Sequence, residues 1–183
     1  MIIRDATQAD LPEISRIYTD SVLNGVASYE LVAPDQAEMG LRMAAITDKS
    51  YPYLIATDGE GAVLGYAYAS AFRTRPAYRW LVEDSIYLAP EARGQGVGRA
   101  LLEALISQCE SLGFRQMVAV IGGAHPASIA VHQKAGFVSA GRITGSGHKH
   151  GSWLDTVFMQ RPLGEGNRTD PDPDTYPGTL FSN

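Results

Sequence analysis

The segment Arg93-Gly94-Gln95-Gly96-Val97-Gly98-Arg99 follows the β-rich run Leu81 to Leu88, which stops at Ala89-Pro90, and precedes Leu101, Leu105, Cys109 and Leu112, which recur at helical spacing up to Gly113. It reads as a glycine-rich turn that leaves a strand and opens a helix. Such a turn presents backbone N–H groups with no partner inside the helix, and the helix dipole adds partial positive charge there, so it suits an anion. Glycines let the backbone approach a diphosphate with no Cβ in the way, while Arg93 and Arg99 bracket the turn with charge. A surface turn that binds nothing has the same composition, and glycine content leaves both readings open. Spacing narrows the choice. Glycines at 94, 96 and 98 do not match the G-x-G-x-x-G dinucleotide pattern, whose third position is Arg99 here, and no Gly-Lys-Ser/Thr follows as in a P-loop.

Outward from the turn, the pattern alternates between strand and helix. Ile2 to Arg4 predicts a short strand, and Asp10-Leu11-Pro12-Glu13 predicts a capping box for a helix whose apolar face is Leu11, Ile14, Ile17, Tyr18 and Val22, ending at Asn24-Gly25. Asp35 to Thr47 gives a second helix through Met39, Leu41, Met43 and Ile46. Tyr53 to Thr57 and Ala62 to Ala71 flank Asp58-Gly59-Glu60-Gly61 and predict an antiparallel hairpin. Gln116 to Ile121, almost wholly apolar, predicts a central strand. Pro126 to Ala135 predicts a helix stopped by Gly136, and Phe137 to Ile143 and Trp153 to Gln160 predict two last strands around a turn rich in Gly145, Gly147 and Gly151. The order implies an α/β (α+β) fold, a mixed sheet of about seven strands with helices on both faces. One domain is expected over 1–163, followed by a loosely ordered Pro/Gly/Asp-rich tail over 164–183.

Composition sets the outer limits. The 183 residues, 45% hydrophobic, suit one globular domain. A net charge of -5 argues against a nucleic-acid partner. The lone Cys109 cannot form an internal disulfide, and no apolar run approaches the roughly 20 residues of a membrane span, so a cytoplasmic protein is expected.

The segment Ala92 to Gly98 resembles the Q/R-x-x-G-x-G/A signature of the GNAT acetyltransferase superfamily, Asp10-Leu11-Pro12-Glu13-Ile14 matches that family's opening helix, and His125 to Phe137 resembles its N-x-x-A/S-x-x-x-Y-x-K-x-G-F segment. More narrowly the chain looks like the phosphinothricin and methionine sulfoximine N-acetyltransferase branch. The residues that carry this are Gly65-Tyr66-Ala67, Phe72-Arg73, Tyr78-Arg79-Trp80, Glu83, Ser85-Ile86-Tyr87-Leu88, Val118 to Ile121 and Gly147 to Asp155. The resemblance implies a GNAT fold with a mostly antiparallel sheet, acetyl-CoA as cofactor, and a homodimer. It implies that Arg93, Gly94, Gln95, Gly96, Val97, Gly98 and Arg99 hold the pyrophosphate. Backbone N–H groups of Ile86, Tyr87 and Leu88 would meet the pantetheine arm and acetyl carbonyl where that strand splays from its neighbour, and Ser128 would face the cofactor. His125 stands where the family usually has an asparagine touching the cofactor.

Acetyl transfer from a thioester to an amine needs a base, oxyanion donors and help for the departing thiolate. The resemblance places Glu83 beside the substrate amine, and partial closure would raise its pKa toward a useful value. A solvated carboxylate paired with Arg79 is the plainer reading of that residue. Asp84 would point to the opposite face of a regular strand, so it and Glu83 are alternatives. His132 stands where many GNAT enzymes have a tyrosine, as acid, second base or structural residue. Arg73, Thr74 and Arg75, with Glu83, Asp84 and Ser85, form the expected substrate contacts, the guanidinium fork suiting a carboxylate. Phe72, Tyr78 and Trp80 could wall the pocket. His148 and His150 lack a nearby carboxylate or thiol that would complete a metal set, and no metal is expected. The implied activity is N-acetylation of the α-amine of a small amino acid or analogue, with inactivating or detoxifying effect. Its rivals are a peptide or protein N-acetyltransferase and a non-catalytic acyl-CoA-binding module.

Overall fold

Alternation of strand-forming and helical stretches produces, in the computed structural model, the element order that the sequence pattern predicts; the structure describes residues 1–175. The elements are β1 (Ile2–Asp5), α1 (Leu11–Asn24), α2 (Gln36–Thr47), β2 (Tyr53–Thr57), β3 (Val63–Ala71), β4 (Leu81–Leu88), α3 (Val97–Ser111), β5 (Gln116–Gly122), α4 (Pro126–Lys134), β6 (Val138–Lys149) and β7 (Ser152–Pro162), with short 3-10 turns at Gln8–Asp10, Pro76–Tyr78 and Pro90–Ala92. The strands form one sheet in the order β1-β2-β3-β4-β5-β7-β6. Every neighbouring pair is antiparallel except β4 and β5.

Each face of the sheet is closed by its own helices. Tyr53 pairs with Tyr68 and Tyr66 with Tyr87, which puts these rings on one face, where Tyr18 of α1 meets Tyr87 edge-on at 5.0 Å. On the other face α3 buries Leu101, Leu105 and Cys109 completely, as their spacing predicts. In α2, Met39 and Met43 point inward while Leu41 lies exposed, because the positions three and four apart face the core and Leu41 falls between them.

Three local expectations change. Asp10 does not cap α1 with its side chain; it accepts from Thr7 N–H at 2.8 Å and is gripped by Arg4 at 2.7 and 2.8 Å. The glycines at 145 and 147 lie within β6 and not in its turn, which is reduced to His150 and Gly151. Gly147 is needed there because a Cβ would lie 2.7 Å from the Tyr29 ring. Finally, Leu163, the last residue of the expected domain, is fully buried, and within the expected tail the carbonyls of Gly166 and Thr169 accept from Arg115. The rest of that tail, 176–183, lies outside the described residues.

The Arg4 guanidinium holds the Asp10 carboxyl down at about 2, against burial that pushes it up. Because the folded value lies below the unfolded one, this stabilisation is present above about pH 4 and is lost as pH falls through about 2. Asp10→Asn is expected to cost roughly 1–2 kcal/mol at pH 7 in urea unfolding, with the difference vanishing near pH 2.

Candidate active site

The site is built on β4. Its pairing with β3 is unbroken from Ala71↔Val82 to Gly65↔Leu88, so its side chains alternate without a bulge. Its parallel pairing with β5 runs only from Leu81↔Gln116 to Asp84↔Ala119, although both strands continue. Beyond Asp84 the two strands part, and the β5-facing main-chain groups of Ser85 to Leu88 are left for something other than sheet. This is the opening that the resemblance implies at Ile86, Tyr87 and Leu88.

The alternation sorts the neighbouring residues. Glu83, Ser85 and Tyr87 share the tyrosine-lined face with Ser70, Tyr68 and Tyr66. Asp84, Ile86 and Leu88 face α3 and α4, and a Cβ on Gly98 of α3 would stand 3.3 Å from Leu88. Glu83 is half-buried, and its pKa is raised by burial first and by the Asp84 charge second, with Arg73 pulling the other way. Arg79 lies over the Trp80 ring, 5.3 Å from its centre, rather than in an ion pair with Glu83.

Asp84, expected among the substrate contacts, is turned by this geometry toward α4. Only 6% exposed, it lies on the far face from Glu83 and holds His132 Nε2 at 3.0 Å. His132, 4% exposed, places Nδ1 2.8 Å from the Ser128 carbonyl one turn earlier in α4, and the Ser128 hydroxyl is 3.5 Å from the same nitrogen. His125 is exposed at the start of α4.

The glycine turn connects β4 to α3. Gly94 and Gly96 have φ of +77° and +84°, left-handed values that favour glycine, and the space where each Cβ would go is open. The first helical bond of α3 is Ala100 N–H to Gly96 O at 3.1 Å, so the preceding amides are free to meet an anion. The chemistry of these donors fits a diphosphate. The flanking arginines are held elsewhere: Arg93 meets Asp20 at 2.6 Å and Arg99 meets Glu103 at 2.7 Å, both exposed pairs of small worth that can reorient. Gln95 donates to Glu91 O at 2.6 Å, and Val97 packs into the core.

On the acceptor side Arg73 is exposed, its guanidinium 4.1 Å over the Phe72 ring and bonded to the Phe72 carbonyl at 2.9 Å. Thr74 and Arg75 are exposed beside it, and Phe72 meets Tyr78 edge-on at 6.1 Å. Sequence reasoning missed Tyr29, in the loop between α1 and α2. Its hydroxyl donates to Asp155 O at 2.9 Å and accepts from Gly123 N–H at 3.1 Å and Thr156 Oγ1 at 3.0 Å, pinning that loop against the end of β5 and the β6–β7 hairpin. The Gly122-Gly123 pair is its trace in the sequence, since a Cβ on either would run into Val26.

A glycine turn suited to an anion, a strand parted from its parallel neighbour and a half-buried glutamate beside the opening are features that an acyl-CoA-type transferase requires. The family model for the acetyltransferase (GNAT) domain matches residues 3–158, and the chain belongs to that family of enzymes. It is 48% identical over 171 residues to the phosphinothricin N-acetyltransferase of Alcaligenes faecalis, covering 93% of this chain and 86% of the relative. An L-methionine sulfoximine/L-methionine sulfone acetyltransferase of Pseudomonas paraeruginosa is 41% identical, covering 88% of this chain and 94% of its own. The crystal structure of a GNAT phosphinothricin acetyltransferase from Sinorhizobium meliloti in complex with acetyl-CoA matches with a TM-score of 0.96 at 62% identity, covering 98% of this chain and 97% of that one. Among the described residues no cluster of His, Cys, Asp or Glu is arranged to hold a metal, and no helix is long and apolar enough to cross a membrane.

Proposed function

We propose that the chain transfers acetyl from acetyl-CoA to the α-amine of a small amino acid or analogue of the phosphinothricin and methionine sulfoximine type. The observation that carries this is Glu83, half-buried with a raised pKa, on the tyrosine-lined face of β4 at the point where β5 departs. When bound, acetyl-CoA supplies the acetyl thioester. The amides of Gly94 to Gly98 hold its diphosphate, and backbone N–H groups among Ile86, Tyr87 and Leu88 serve the pantetheine arm and the oxyanion. Glu83, directly or through a water, takes the amine proton, while Arg73, with Thr74 and Arg75 near it, receives the acceptor's carboxylate. Ser85 lies on the same face as Glu83.

The relatives named above support the acceptor class. A thiol-release assay with acetyl-CoA against free amino acids, methionine sulfoximine and phosphinothricin tests it; activity on peptides and on no free amino acid overturns it. Arg73→Ala is expected to raise KM for a carboxylate-bearing acceptor about tenfold, roughly one lost ion-paired fork, with kcat moved less than twofold. We further place the enzyme in the cytoplasm as a homodimer. The edge strand β6, with Val138 and Ile143 exposed, supports a second copy, and light scattering checks it.

A further inference from the structure

The parallel ladder between β4 and β5 stops at Asp84↔Ala119, yet both strands run on, and β5 stays paired with β7 as far as Gly122↔Thr156. Facing strands with free backbone groups gain by pairing further, so something has to hold these two apart. Val118 is the partner of Glu83, and alternation puts Val120 and Gly122 on the same tyrosine-lined face. Across that face runs α1 with the loop that follows it, and this segment makes one contact with each of the parted strands.

On β4 the contact is Tyr18, whose ring meets Tyr87 edge-on at 5.0 Å. On β5 it is Tyr29. A phenol hydroxyl has one proton and two lone pairs, and here all three are used. It donates to the Asp155 carbonyl of β7 at 2.9 Å, and accepts from Gly123 N–H, just past β5, at 3.1 Å and from Thr156 Oγ1 of β7 at 3.0 Å. The ring lies where two glycines make room, since a Cβ on Gly122 would stand 3.0 Å from its edge and one on Gly147 2.7 Å from it. The two contacts are joined, because Tyr18 Oη is 3.1 Å from Oγ of Ser28, the residue before Tyr29. The β6–β7 hairpin holds the same loop from its other side: buried Lys149 donates to the Ser28 carbonyl at 2.7 Å, and the His150 ring stands 3.2 Å from the Gly25 carbonyl.

We propose that Tyr29 is a positioning residue that ties the end of β5 to β7 and away from β4, and so keeps open the gap that admits the pantetheine arm of acetyl-CoA. This rests on the acetyl-transfer reading above. With Gly123 N–H bonded to the same oxygen as Thr156, the end of β5 follows β7 and does not swing back to extend the ladder with β4. The β5-facing main-chain groups of Ser85 to Leu88 then stay free for the cofactor. The hydrogen-bond partners of Tyr29 lie on β6, on β7 and at the end of β5, and none belongs to the turn from 93 to 99, so the diphosphate site is expected to be independent of it.

Calorimetric titration of Tyr29→Phe and Tyr29→Ala with acetyl-CoA and with 3′-phospho-ADP separates the two ends of the cofactor, because 3′-phospho-ADP carries the diphosphate without the pantetheine arm. Kd for acetyl-CoA is expected to rise about tenfold in Tyr29→Phe, which loses the hydroxyl's bonds, and about a hundredfold in Tyr29→Ala, which also loses the ring. Kd for 3′-phospho-ADP is expected to stay within about twofold in both. Amide hydrogen exchange over residues 120–123 is expected to quicken in Tyr29→Phe. Equal weakening of both ligands, unchanged acetyl-CoA binding or unchanged exchange overturns the proposal, since a tyrosine that only supports the fold does not separate the ligands. Tyr29→Phe keeps the ring between the glycines and decides the matter if Tyr29→Ala does not fold. If the unsubstituted protein binds acetyl-CoA no more tightly than 3′-phospho-ADP, the cofactor reading itself falls, and this proposal with it.

Discussion

Glu83→Gln is expected to lower kcat by about 10²–10³-fold at pH 7.5 while KM for acetyl-CoA stays within about twofold, because a positioned base is worth two to four orders of magnitude and the contacts proposed for the cofactor lie elsewhere on β4 and α3. The amide keeps the size and place of the carboxylate but cannot take a proton. The pH profile gives a second readout. Burial and the Asp84 charge raise the Glu83 pKa, so the acid limb of kcat/KM lies above the ordinary glutamate value of about 4.3 and activity rises as pH passes through it. In the variant that limb disappears. The fold is expected to persist, because a half-buried carboxylate with a raised pKa is a cost to the folded protein at neutral pH that the amide removes. Steady-state kinetics across pH, with acetyl-CoA and acceptor varied in turn, check both points. Retention of full kcat would remove Glu83 from the chemistry.

Gly96→Val is expected to raise KM for acetyl-CoA about 30-fold and to leave KM for the amine within twofold. At φ +84° the Gly96 backbone is left-handed, which a β-branched residue adopts only at a cost of roughly 1–3 kcal/mol, and 2 kcal/mol is about a 30-fold change in affinity. Crowding is not the cause, since nothing lies within 4 Å of the position a Cβ would take. The valine is instead expected to turn the amides of the loop away from the proposed diphosphate site. Gly96→Ala should fall between the two, having a Cβ without branching. Equal increases in both Michaelis constants would overturn the loop assignment.

Much of this site is written in local sequence. The turn from 93 to 99 needs only its glycines, the strand before it and the helical spacing after it, all carried by a few adjacent residues. The alternation of β4 likewise separates Glu83 from Asp84 onto opposite faces with no knowledge of the rest of the chain. The contact that Asp84 makes is not local. It depends on α4, 48 residues later, packing on the face opposite Glu83 and bringing His132 to 3.0 Å. Tyr29 is further out of reach, as its hydroxyl partners lie 94, 126 and 127 residues away. Leu41 shows the same limit from another side: helical spacing identifies α2, but only packing against the sheet decides that Met39 and Met43 turn inward and Leu41 does not.

Hydrogen-bonding geometry and side-chain periodicity over a few residues carry the order of strands and helices and a glycine-rich turn suited to an anion, while Glu83 as candidate base comes from the family resemblance. Packing in three dimensions sets where β5 leaves β4, which face each helix covers, and therefore that Asp84 meets His132. Those outcomes follow from register between strands far apart in the chain and from burial, and both are set by packing in three dimensions.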